Sequence, residues 1–282
     1  MKKHLPLLLI VLIYKQGMNY KLIVSDYDKT LSTSKRKITA RTSNAINEFQ
    51  ANGGTFVLCS ARPLNSIEDI IKEINCTAVI ANQGATIYDN NKKCIYKNLL
   101  SREQTAEITA YFNKFTSHII LLNDEFSVCK KIMLLEKACK KAVNYRLTSV
   151  GKDILGYYPE DGIAQVIVGS MSISKLKFII RMAVGHFKGK YEIGLCDKHL
   201  INVTAKGVTK GAAIEIIRKY YDISKEDAIA FGDSQNDVSM FNSVATGVAM
   251  ANAMKELKKA ATYMCESCNN DGLAKYIEQN IL

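Results

Sequence analysis

Along the first third of the chain, short wholly apolar runs alternate with segments whose apolar residues recur at helical spacing. Leu22-Ile23-Val24 is the first run, Thr55 to Cys59 the second and Thr77 to Ala81 the third. Between them come Ala45, Ile46 and Phe49, opened by Thr39 as an N-cap and stopped by Gly53-Gly54, and then Ile67, Ile70, Ile71 and Ile74. Continuous apolar runs of this length read as strands buried on both faces, and the helices between them imply right-handed crossovers in a parallel sheet.

The rhythm changes near Ala85. Ala85 to Asp89 and Cys94 to Tyr96 predict a hairpin across the polar turn Asn90 to Lys93. Helices are predicted near Glu103 to Phe115, Met133 to Ala142 and Lys175 to Phe187, with strands Ile119 to Leu122, Gln165 to Val168, Tyr191 to Leu195 and Leu200 to Val203 among them. At Gly207 the first rhythm returns: a helix through Ile214, Ile217 and Tyr221, a strand Ala228 to Phe231, a strand Thr246 to Met250, and helices Met254 to Ala261 and Asp271 to Ile281. The expected fold class is α/β, a doubly wound parallel sheet interrupted by an inserted α+β domain. Residues 18–84 and 205–282 form the core on this reading and 85–204 the insertion; a tandem second domain is the alternative.

The N-terminus stands apart. Met1-Lys2-Lys3-His4 and the apolar run Leu5 to Tyr14 have the charged start of a secretory signal, too short to span a membrane and without a small-residue cleavage site. Met18 directly precedes the first strand, so residues 1–17 read as an appendage or a mis-assigned start. At 282 residues, 48% apolar and 23% charged, the rest is ordinary globular protein. The net charge of +11 is spread over scattered lysines without interleaved aromatic residues, which argues against nucleic acid. Eight cysteines show no framework spacing, which points to a reducing, cytoplasmic compartment. Cys265-Glu-Ser-Cys268 has no second pair to complete a zinc site, and the four histidines form no cluster.

Chemistry collects where the apolar runs end. Leu22-Ile23-Val24 runs into Asp26 and Asp28, the second run into Ser60, and Ala228 to Phe231 into Gly232-Asp233-Ser234-Gln235-Asn236-Asp237, while Lys210 opens a helix. In open α/β sheets ligands bind beyond the carboxyl ends of the strands, so these groups converge on one edge. A carboxylate and a backbone carbonyl from Asp26 and Asp28 suit Mg²⁺ better than Zn²⁺, which prefers nitrogen and sulfur.

In this order, Asp-x-Asp-x-Thr, a Ser after the second strand, a Lys, and Gly-Asp-x-x-Asn-Asp resemble the four motifs of the haloacid dehalogenase (HAD) superfamily of phosphohydrolases. The size and place of the insertion resemble the Cof-type subfamily with its type IIB cap. The resemblance implies a Rossmannoid core, a Mg²⁺ cofactor and a small phosphorylated metabolite as substrate: a sugar phosphate, a nucleotide or a phosphorylated cofactor. It casts Asp26 as nucleophile and Asp28 as acid and base, with Ser60 and Lys210 completing the catalytic set. Metal ligands would be Asp26, Asp28, Asp233 and Asp237, and phosphate contacts Ser60, Ala61, Lys210 and Asn236. A phosphomutase of the same cap type and a non-catalytic phospho-ligand sensor are the alternatives. Three positions depart from the usual pattern: Lys29 stands for Gly, Ser60-Ala61-Arg62 for Thr-Gly-Arg, and Asn82-Gln83-Gly84-Ala85 for Asn-Gly-Ala. The roles of Arg62 and Gln83 are left open. Neither the substrate nor the oligomeric state is written in the spacing.

Overall fold

A computed structural model describes residues 20–134, 136–137, 147–151 and 153–282. Residues 1–17, Met18, His4, Cys139 and most of the helix expected over Met133 to Ala142 lie outside the described residues.

The chain enters a sheet with β1 (Leu22–Asp26), β2 (Thr55–Cys59) and β3 (Ala78–Ala81), and continues it with β4 (Thr86–Asp89) and β5 (Cys94–Lys97). A second sheet takes β6 (Ile119–Leu122), β7 (Ser127–Cys129), β8 (Leu147–Ser149), β9 (Gln165–Gly169), β10 (Tyr191–Asp197) and β11 (Leu200–Ala205). The first sheet is completed by β12 (Ala228–Gly232), β13 (Thr246–Met250) and β14 (Tyr263–Cys265), in the spatial order β14-β13-β12-β1-β2-β3-β4-β5. From β14 to β3 every pairing is parallel. Every residue of β1, β3, β12 and β13 is buried, as continuous apolar runs covered on both faces require. Helix Ala40–Ala51 packs beside Gly272–Asn280, and Lys210–Tyr220 beside Val238–Asn242. Thr39 caps the first of these helices by accepting from Thr42 N, as expected.

The domain boundary needs correcting. The hairpin expected to open the insertion at residue 85 instead extends the first sheet: β4 pairs antiparallel with β3, and β5 with β4. Ile87 is fully buried in the same core as Ile80, and Tyr88, Ile95 and Tyr96 pack on it. Without the hairpin, β3 would present an open apolar edge. Strands β7, β8 and β14 are also absent from the sequence reading, each being only three residues long.

In the second sheet, ordered β10-β11-β9-β6-β7-β8, helices Arg102–Phe112 and Ile173–Phe187 cover one face. Ile119, Leu121, Val166, Val168, Ile201 and Val203 bury against Ile108, Phe112, Leu176 and Ile179 there. The alternate residues Gln165, Ile167, Asn202 and Thr204 belong to the opposite face, as the two-residue period of a strand requires. Among the described residues, no helix is long and apolar enough to cross a membrane.

Candidate active site

The site forms where the order of the first sheet reverses. From β1 the chain steps outward through β2 and β3 and returns to the other side of β1 as β12, which leaves a crevice above the β1 and β12 ends. Asp26 is the last residue of β1 and Asp233 follows β12 directly. Lys210 begins its helix behind the N-cap Thr209, whose hydroxyl accepts from Ala212 N.

Lys210 holds the centre. It is 1% exposed, and its ammonium donates to Asp26 Oδ1 and Asp237 Oδ1, each at 2.6 Å. Asp237 Oδ2 accepts from the backbone N–H of Asp233 at 3.0 Å and of Ser234 at 2.9 Å. Asp237 thus shapes the loop after β12 and fixes the lysine. Carboxylate oxygens of Asp26, Asp233 and Asp237 lie within 4.8 Å of one another. Among the described residues, Asp26 Oδ2 and both Asp233 carboxylate oxygens accept no hydrogen bond, so they are open to a ligand.

The Lys210 ammonium bonds two of the three acids, and among the described residues no ion pair reaches Asp233, so positive charge is short. Burial pushes the Asp26 carboxyl well above the usual range; Lys210 opposes this, while Asp237, Asp233 and Asp28 add repulsion. Burial, then Asp237, pushes Asp233 up to about 7. Burial alone would depress Lys210, yet the facing Asp237 and Asp26 reverse that and hold it charged, well above its ordinary value. An all-oxygen donor set with excess negative charge fits a hard divalent cation.

Asp28 lies apart from the three-acid cluster. After β1 the chain makes a wide turn, Tyr27–Leu31, closed by Ser32 N donating to Tyr27 O at 2.9 Å, with Lys29 in the left-handed region at φ 60°. Glycine meets that backbone without strain, which accounts for its usual presence where Lys29 stands. The turn carries the Asp28 carboxylate to Arg62, whose guanidinium donates from Nε at 2.8 Å and Nη2 at 2.5 Å. Arg62 also lies over the Tyr27 ring, 5.0 Å from its centroid. Its residue type and position follow from the second motif; its partnership with Asp28 does not.

Ser60 comes one residue beyond Cys59, the cross-strand partner of Asp26. It is 1% exposed, and its hydroxyl accepts from Arg62 N at 3.1 Å. The loops after β2 and β3 are stitched together: Asn82 N donates to Arg62 O and Gln83 N to Ser60 O. Gly84, at φ 102°, passes so close to the Lys210 helix that a Cβ would collide with the Thr209 carbonyl. Asn236 donates from Nδ2 to Gln83 Oε1 at 3.0 Å, and its own carbonyl side takes the Ser234 hydroxyl.

Two partners from the second sheet went unforeseen. Gln165 Nε2 donates to the Ala61 carbonyl at 2.8 Å and to Asn82 Oδ1 at 2.9 Å. Asp124, in the β6–β7 turn, accepts from Leu64 N at 2.8 Å, Asn82 Nδ2 at 2.7 Å and the Tyr88 hydroxyl at 2.6 Å. A glutamine heading a strand that is otherwise apolar was the one available signal for the first. Asp124 looked like an ordinary turn residue.

The sequence profile of the haloacid dehalogenase-like hydrolases matches residues 23–277. The chain belongs to that family. It is an enzyme of the phosphoric monoester hydrolase type, with Cof-type relatives. A Haemophilus influenzae protein carrying a provisional phosphatase name is 29% identical over 280 residues, covering 93% of this chain and 98% of its own. A Bacillus subtilis 5-amino-6-(5-phospho-D-ribitylamino)uracil phosphatase is 25% identical over 281 residues, covering 92% and 97%. The fold is shared with a HAD subclass IIB sugar phosphatase: TM-score 0.79 at 23% identity, over 92% of this chain and 98% of that one. The Rossmannoid core and its cap, the second sheet with its helices, are therefore those of this family.

Proposed function

We propose that the protein is a Mg²⁺-dependent phosphatase that hydrolyses small phosphorylated metabolites through an aspartyl-phosphate on Asp26. The observation that carries this is the buried Lys210 pinning Asp26 beside Asp233 and Asp237 at adjacent strand ends, with oxygens of Asp26 and Asp233 left open. Asp26, Asp233 and the backbone carbonyl of Asp28 would hold the cation, with Asp237 fixing the loop behind them. Mg²⁺ supplies the charge that lets an anionic nucleophile approach an anionic phosphate.

The Asp26 carboxylate, anchored through Oδ1 by Lys210, is the nucleophile. It forms a bond to phosphorus as the ester P–O bond breaks, and Asp28 gives a proton to the departing oxygen. Asp28 then takes a proton from the water that attacks phosphorus, the bond to Asp26 breaks, and inorganic phosphate leaves. Ser60, the Ala61 backbone, Lys210 and Asn236 neutralise and orient the phosphoryl oxygens. Arg62 acts through Asp28 as a positioning residue. A cap lying over the strand ends favours small substrates, and the phosphorylated ribityl compound named for the Bacillus subtilis relative is of that size. A cytoplasmic setting accords with eight cysteines that show no framework spacing.

The test is phosphate release from a panel of phosphomonoesters with Mg²⁺ and with chelator, for wild type and Asp26→Asn. Release that requires Mg²⁺ and vanishes in the variant supports the reading. Turnover by Asp26→Asn at the wild-type rate would sink it.

A further inference from the structure

Gln165 opens β9, the strand of the second sheet held between β11 and β6, and its cross-strand partner on β6 is Leu122. Asp124 follows shortly after Leu122, so two polar side chains leave neighbouring strand ends of the cap. They meet on one side chain of the core. The fully buried Asn82 amide accepts from Gln165 Nε2 through Oδ1, and from Nδ2 it donates to Asp124 Oδ1 and to the Thr86 hydroxyl. Both ends of that amide are engaged within the protein.

The other bond of Gln165 reaches further. Both groups in front of its amide, Asn82 Oδ1 and the Ala61 carbonyl, are acceptors, so the amide faces them through nitrogen and spends both of its protons there. It has no donor left for a phosphoryl oxygen. In a trans peptide the C=O and the following N–H point in opposite directions. The Ala61–Arg62 peptide accordingly takes Gln165 on its carbonyl and donates from its N–H to Ser60 Oγ at 3.1 Å. Having accepted there, the Ser60 hydroxyl still has a proton to give, and among the described residues that proton meets no acceptor.

Resting on the phosphatase reading above, we propose that Gln165 is a positioning residue for the phosphoryl group: from the cap it holds the Ala61–Arg62 peptide in the orientation that turns the Ser60 hydroxyl to a phosphoryl oxygen. The Arg62 carbonyl, which accepts from Asn82 N at 2.9 Å, is steadied through the same joint, and from that backbone Arg62 reaches Asp28. The phosphoryl site is complete only with the cap seated. Because the peptide serves the part common to every phosphomonoester, the contribution of Gln165 is independent of the leaving group.

The experiment measures kcat/KM with Mg²⁺ for p-nitrophenyl phosphate, ribitol 5-phosphate and glucose 6-phosphate, together with the inhibition constant of inorganic phosphate, using wild type, Gln165→Met and Gln165→Asn. Gln165→Met keeps the length of the side chain and removes the donor. It should lower kcat/KM about 10- to 100-fold, by the same factor on each ester that wild type turns over. The inhibition constant of phosphate should rise about 3- to 10-fold, as the loss of one well-placed hydrogen bond would give. Gln165→Asn draws the amide back by one methylene and should act in the same direction by a smaller factor, which serves if two unmet acceptors make Gln165→Met unstable; melting temperatures show which variants are folded. Losses that differ more than about 10-fold between esters would make Gln165 a contact of the leaving group. An unchanged phosphate constant in a folded variant would make its role structural. Either result overturns the inference and leaves the phosphatase reading intact. If wild type hydrolyses none of the three esters, the phosphatase reading fails and the inference falls with it.

Discussion

Arg62 grips both oxygens of the Asp28 carboxylate, from Nε at 2.8 Å and Nη2 at 2.5 Å, and is itself almost fully buried. The fork fixes the direction of a side chain that its own turn leaves 44% exposed. Lysine carries the charge without the second parallel bond. Arg62→Lys is therefore expected to lower kcat about 10- to 100-fold with a smaller change in KM, because in the proposed mechanism Asp28 transfers the proton and misplacing it slows the chemical step. Steady-state kinetics on one aryl phosphate separate the two parameters; a change in KM alone would show that Arg62 touches substrate instead.

Lys210 is the only ammonium shared by Asp26 and Asp237 among the described residues, and all three side chains are buried. Lys210→Met leaves two acids facing each other. The expected cost is about 3–5 kcal/mol in chelator, read from urea unfolding, with Asp26→Asn in the same background recovering part of it. A loss under about 1 kcal/mol would mean that water reaches the cluster and screens it.

Chelated protein should lose stability as pH rises. Asp233 is pushed up to about 7 when folded, chiefly by burial, whereas an unfolded carboxylate titrates near about 4. An acid raised by folding binds more protons in the native state, so stability falls between about pH 4 and about pH 7; Asp26, raised likewise, adds to the slope. Melting curves in chelator at about pH 5 and about pH 7.5 read this directly. Mg²⁺ should abolish the drop, and Asp233→Asn should flatten it.

Asp124 gathers three donors from the core, so Asp124→Ala leaves Leu64 N, Asn82 and Tyr88 without their acceptor. The expected cost is about 1–3 kcal/mol, accompanied by faster proteolysis where the chain passes between the sheets. Unaltered proteolysis would place the grip elsewhere.

Much of the site was legible because it is local. Asp26, Ser60 and Asp233 each stand at the end of an apolar run, and a parallel sheet aligns strand ends without further information. Lys210 was legible through its motif, although nothing in the sequence states that it is buried. The partners of Asn82 and Ala61 were not legible, since Asp124 and Gln165 arrive only when the cap docks, across 42 to 104 residues of chain. The hairpin after β3 is legible as a hairpin, but the sequence pattern places it with the insertion and not on the first sheet. Its alternation is the same on either sheet, and only the open edge of β3 decides.

The bonds from Gln165 to Ala61 and Asn82 have a consequence for how such proteins can be rebuilt. Two loops at the catalytic end of the core borrow a donor from the inserted domain, so the core alone is not a naked phosphatase awaiting a lid. Excising the insertion would leave a carbonyl and an amide unmet inside the active-site loops. A graft from a relative would transplant specificity only if it also brought a donor and an acceptor to the places of residues 165 and 124.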